Sequence, residues 1–94
     1  MKGIVNMEFS DLVALKLKEV LEEKNITLYK LQSLTGVYSS TVSQFLTRKT
    51  KTIRIDVLFV ICNAIDVDLS DFFLDDRFKT AEATEWKNKK ELPF

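Results

Sequence analysis

The chain has 94 residues, 46% of them hydrophobic and 30% charged, and its 14 basic and 14 acidic side chains cancel. That size suits one domain with a small core, and the balance is that of a globular chain, not a disordered one. With no histidine and one cysteine, Cys62, a zinc finger, a histidine-based triad and an internal disulfide are excluded, and no apolar run approaches the roughly 20 residues of a membrane span.

The first helix is expected from about Asp11 to Lys24. Ser10 stands at its N-cap, Asp11 suits the positive helix end, and Phe9 can staple over the first turn. Val13, Leu17, Val20 and Leu21 recur at helical spacing and face a core. Asn25 follows as a residue that tolerates the left-handed conformation. Thr27 caps a second helix, about Leu28 to Leu34, with Leu31 and Leu34 buried, and Gly36 stops it. Three residues later a third helical pattern begins at Ser39, with Val42, Phe45 and Leu46 keeping the apolar spacing.

A fourth helix spans about Ile55 to Ile65, with Leu58, Ile61, Cys62 and Ile65 inward. A brief fifth covers about Leu69 to Phe73. The stretch from about Thr80 to Lys90 can form a further helix of thin apolar content, or a tail bound to a partner. This divides the chain into an N-terminal segment (1–10), a helical domain (11–75) and a C-terminal tail (76–94). The N-terminus does not read as a signal peptide, and a lone thiol fits a reducing cytosol, so a cytoplasmic protein is expected.

Charge is unevenly spread. Residues 24–55 hold Lys24, Lys30, Arg48, Lys49, Lys51 and Arg54 with no acid, whereas residues 56–76 hold six aspartates with no base. Such a chain can present one basic face and one acidic face.

Two short helices joined by a turn of about three residues centred on glycine form a helix-turn-helix. Gly36 takes the positive φ of the reversal. Val42 and Phe45 anchor the second helix, which leaves Ser39, Ser40, Ser43 and Gln44 on its free face. Short hydroxyls and a carboxamide can read base edges without blocking entry to a major groove about 12 Å wide. The basic group after them, Arg48, Lys49, Lys51 and Arg54, suits a phosphate clamp.

The stretch ITLYKLQSLTGVYSSTVSQFLTRKTK, followed by IDVLFVICNAIDVDLSDFF, resembles the Cro/repressor-type (XRE-like) helix-turn-helix family. The register Leu31, Gly36-Val37, Thr41-Val42 carries the likeness, with the trailing pattern from Leu58 to Phe72. The resemblance implies an all-α, compact five-helix lambda-repressor-like domain whose third helix enters the major groove, with a short C-terminal extension. It also implies base contacts by Ser39, Ser40, Ser43 and Gln44. Phosphate contacts fall to Thr27, Tyr38, Thr41, Thr47, Arg48, Lys49 and Lys51. Three positions depart from the family pattern: Leu28 replaces the usual Gln after the capping Thr, Gln32 replaces a small residue, and Arg48 replaces a frequent glycine. At Gln32 either the two helices splay or the amide stem lies along the groove between them.

The fourth helix is apolar nearly all round, since Val57, Phe59 and Val60 join its core face. Val57 and Val60 are therefore expected in a two-fold dimer interface, the alternative being cover by the tail through Phe78 or Trp86. The expected function is sequence-specific binding of double-stranded DNA by a transcriptional regulator, a repressor acting as a homodimer on a pseudo-palindromic operator. The competing expectation is a protein-interaction module of the same fold, an antitoxin or anti-repressor working through helix four and the tail. No nucleophile–base pair, metal-ligand set or Gly-rich phosphate loop occurs, so no enzyme activity, metal or cofactor is expected.

Overall fold

A computed structural model describes residues 6–84. Within them the chain folds into five α-helices: α1 (Phe9–Glu23), α2 (Leu28–Thr35), α3 (Ser39–Leu46), α4 (Ile55–Ala64) and α5 (Leu69–Phe72). A 3-10 turn at Asp76–Thr80 follows. Among the described residues there is no strand, only an isolated parallel bridge between Glu8 and Glu82, and no helix long and apolar enough to cross a membrane.

The expected cap of the first helix is displaced. Helix α1 starts at Phe9, so Ser10 lies inside its first turn and Glu8 is the N-cap, with no side-chain cap bond. The reason lies 73 positions further along the chain: the Phe9 N–H donates to the Glu82 carbonyl at 2.7 Å, so a distant backbone satisfies the first open donor of a helix that starts ahead of Ser10. At the other end Asn25 adopts φ 62°, as its place after the last turn requires.

The Thr27 hydroxyl accepts from the Lys30 N–H at 3.1 Å and caps α2, and Gly36 ends that helix at φ 80°. Leu31 is buried, but Leu34, also expected inside, is 50% exposed. The inward side of α2 is set by Leu28, Leu31 and Thr35, and Leu34 lies about 120° from Leu28 and about 100° from Thr35 around the axis, at the edge of that side. Helix α2 packs on both α3 and α4, and α1 packs on α3. Leu12, Leu17, Leu31, Val42, Phe45, Leu58, Ile61, Cys62 and Phe72 form the fully enclosed centre. Burial pushes the Cys62 thiol up to about 11, so it remains protonated and inert near neutral pH.

Gln32 resolves the alternative left by its size. Its Oε1 accepts from the Ser39 N–H at 2.7 Å, so the amide runs from α2 to the first turn of α3 and supplies a cap that neither Tyr38 nor Ser39 provides. The Thr35 hydroxyl completes the corner, donating to the Leu31 carbonyl at 2.8 Å and accepting from the Val37 N–H at 3.0 Å.

The segment after α5 returns to α1. Of the stretch 80–90, for which a helix or a partner-bound tail was open, residues 80–84 are not α-helical, and residues 85–90, with Trp86, lie outside the described residues. Phe78 packs with Phe9, Phe72 and Phe73, at centroid distances between 5.1 and 6.4 Å. The phenyl ring of Phe9, expected as a local staple, stacks on Phe73 instead. The Arg77 guanidinium makes two bonds to Glu19, at 2.7 and 3.1 Å, and two to Asp75, at 2.8 and 3.1 Å, while Lys16 reaches Asp75 at 3.1 Å. The Arg77 guanidinium holds both carboxyls below their ordinary range.

Two outcomes follow. Gln32→Leu should lower unfolding stability by about 1 kcal/mol in a denaturant titration, because the Ser39 N–H loses its partner. Gln32→Glu, which keeps an acceptor there, should recover most of that loss; equal destabilisation by both would contradict the capping role. Both Glu19 and Asp75 have depressed values in the folded state, so their contribution is present above the ordinary carboxylate range and is lost as pH falls through the depressed values. The gap in Tm between the native chain and Arg77→Ala should therefore be widest near neutrality and narrow below about pH 4.

Candidate nucleic-acid interface

Helix α3 presents the candidate site. Val42 and Phe45, each 1% exposed, pin its inner side to the core. At about 100° per residue, the direction opposite them passes through Ser40, Gln44 and Thr47, with Ser43 beside that stripe. Ser40, Gln44 and Thr47 are exposed and Ser43 is half-buried. Ser39, grouped in sequence with the outward serines, is half-buried on the flank nearest α2, where its backbone meets Gln32. Thr41 is exposed on the other flank. Tyr38, just before the helix, is 71% exposed.

The C-terminal end of α3 is closed by its own loop. The Lys49 and Thr50 N–H groups donate to the Gln44 carbonyl at 2.8 and 3.1 Å, and the Thr47 hydroxyl donates to the Ser43 carbonyl at 2.8 Å. These bonds satisfy carbonyls that a helix end leaves open. Thr27, Ser43 and Thr47 line one surface groove, with Lys18 and Glu22 on its α1 side. The start of α2 and the end of α3 thus open onto a common trough.

The cations of residues 48–54 have different fates. Arg48 adopts φ 66°, the left-handed conformation for which a glycine is the ordinary choice. Its guanidinium is turned inward. Nε donates to Asp11 at 2.8 Å, and the terminal nitrogens donate to the Ser10 hydroxyl and the Lys51 carbonyl, each at 3.0 Å, and to the Phe45 carbonyl at 3.1 Å. The same group sits 5.0 Å over the Phe45 ring. Arg48, expected to touch phosphate, here joins α1 to the end of α3. Arg54 is bound to Asp56 at 2.6 Å. Lys49 and Lys51 are exposed in the loop beside the Ser40–Gln44–Thr47 stripe.

On α4 the two valines also separate. Val57 is half-buried against the core, so it faces its own domain, whereas Val60 is 40% exposed. Phe59 and Ile55 are more open, at 54% and 63%. Phe78 packs on the ring of Phe9 and leaves this surface uncovered by any described residue.

Sequence reasoning missed the link from Gln32 to α3 and the clamp from Arg48 to Ser10 and Asp11. The first had a signal, a long polar side chain where helices two and three approach. The second had half of one: a non-glycine residue at a position that calls for positive φ needs compensation, but nothing in the sequence points to Asp11, 37 residues away.

The arrangement is a short protruding helix with a carpet of hydroxyl and amide groups and a flanking cationic loop, free of acids from residue 24 to residue 55. It offers donors and acceptors to a hydrogen-bonding surface and positive charge to a polyanion. A scan of protein families matches residues 16–75 to the Cro/C1-type HTH DNA-binding domain. Searches of curated proteins and of solved structures returned no significant match. The helix pair α2–α3, its glycine turn and the matched span agree, and the chain belongs to the Cro/C1-type HTH DNA-binding domain family.

Proposed function

We propose that this DNA-binding protein is a sequence-specific transcriptional regulator, a repressor that binds a pseudo-palindromic operator as a homodimer. The observation that carries the reading is the exposure of Ser40 and Gln44 on the outer stripe of α3, opposite the buried Val42 and Phe45. In this reading α3 lies in the major groove. Ser40, Ser43 and Gln44 meet base edges, and Ser39 contributes from the flank. Thr27, Tyr38, Thr41, Thr47, Lys49 and Lys51 face the phosphates, while Arg48 acts indirectly by holding the helix end. Two copies would read half-sites about 34 Å apart, one helical turn. Phe59 and Val60 are apolar groups open to water on α4 and favour a two-fold contact there.

The same apolar surface supports a second reading, in which α4 binds a different protein and the chain acts as an antitoxin or anti-repressor. DNA binding and such an interaction are compatible in one small protein.

Titration of a duplex selected from a random pool, at two salt concentrations, tests the regulator. Lys49→Ala should weaken binding to all duplexes alike and reduce the salt slope by about 1. Gln44→Ala should instead relax preference at one position of the half-site, by roughly 1–3 kcal/mol. Absence of binding at low salt would reject this reading in favour of the interaction module. Val60→Glu should halve the mass measured by light scattering; an unchanged mass would reject the α4 dimer.

A further inference from the structure

The outer side of α4 is apolar at its middle and charged at its two ends. At about 100° per residue, Asp56, Phe59, Val60 and Asn63 fall within one stripe, opposite the buried Leu58, Ile61 and Cys62. All four are exposed. Arg54, at the N-cap, lays its guanidinium on this same side, where one nitrogen donates to Asp56 at 2.6 Å. Asp66 is exposed just past the last turn, and among the described residues no cation meets its carboxylate. Arg54 stands six residues before Val60, and Asp66 six residues after it.

A surface built this way is complementary to its own copy. A two-fold axis through Val60, perpendicular to the helix, sets a second α4 antiparallel to the first. Phe59 and Val60 then cover their equivalents, and Arg54 comes level with the partner's Asp66 on each side of the axis. A parallel placement sets Arg54 against Arg54 and Asp66 against Asp66, and like charges across an interface repel. The helix dipole favours the same choice. Asp66 lies at the negative end of its own α4, where an acid is disfavoured, and across the axis it meets the positive end of the other. An unrelated partner requires no such symmetry about Val60. We infer that the homodimer, on the α4 reading proposed above, is antiparallel, with Arg54 of each copy paired to Asp66 of the partner subunit. Helix α2 packs on both α4 and α3, so one fixed orientation of the α4 pair also fixes the distance between the two copies of α3.

Light scattering over a dilution series of the full chain tests the pairing. Arg54→Glu and Asp66→Lys each bring like charges together at two symmetric points, and each should raise the dimer dissociation constant about tenfold. Added salt should narrow that difference. Both changes in one chain should restore the native constant. Equal mixing of the two single variants should restore it as well, because the mixed dimer regains both opposite-charge pairs, and this measurement serves if the double variant folds poorly. Arg48, at φ 66°, already holds a long side chain in the left-handed conformation that Asp66 adopts at φ 61°. Single variants that dimerise like the native chain overturn the antiparallel pairing, as do weakened variants that neither combination rescues. In both cases a monomeric Val60→Glu keeps the α4 dimer itself standing. A native chain that is monomeric throughout the series overturns the pairing and the dimer together.

Discussion

The bond from the Gln32 amide to the Ser39 backbone, 2.7 Å long, is the constraint on which the presentation of α3 depends. A two-turn helix has almost no stability of its own, and four of its N–H groups start without partners. Helix α3 has no cap from its own flanking residues. Gln32 supplies one from α2, and Gly36 at φ 80° makes the reversal that brings the two helices within reach. Val42 and Phe45 then fix the roll of α3 about its axis, which decides which side chains point outward. The outward stripe is thus a consequence of inward packing and of one amide, not of the serines themselves.

Arg48 performs the corresponding task at the other end. A non-glycine residue at φ 66° carries strain, and here that strain is compensated by a guanidinium whose donors reach Ser10, Asp11, Phe45 and Lys51. Such charge-assisted bonds, partly screened from water, are stronger than neutral ones. The clamp joins the start of α1 to the end of α3. A helix that enters a groove as a body needs its ends held, since each loose degree of freedom must be frozen on binding. Lys49 and Lys51 are exposed in the same loop.

The acidic half of the chain is organised in a similar way. Asp75 and Glu19 share Arg77, and this network binds the segment after α5 to the outer side of α1. Together with the ring cluster around Phe78, it makes residues 76–84 part of the packed body. The apolar surface of α4 is the counterpart. It buries Leu58, Ile61 and Cys62 and leaves Phe59 and Val60 open to solvent.

Much of this was legible in the chain. The apolar spacing of Val13–Leu17–Val20–Leu21, the threonine cap before α2, the glycine turn and the apolar pair Val42–Phe45 each follow from local periodicity and backbone chemistry. They determined the first three helices and the helix-turn-helix. The resemblance carried the family, and the matched span 16–75 shows it. What the sequence could not determine are pairings between groups far apart in number: Glu82 with Phe9, Gln32 with Ser39, Arg48 with Ser10 and Asp11. Two of them change what was expected locally: α1 starts ahead of Ser10, whose hydroxyl accepts from Arg48, and the Arg48 guanidinium joins α1 to the end of α3. The physical reason is that periodicity reports which side of a helix is apolar, whereas the identity of the group facing each side chain is set only when the helices pack.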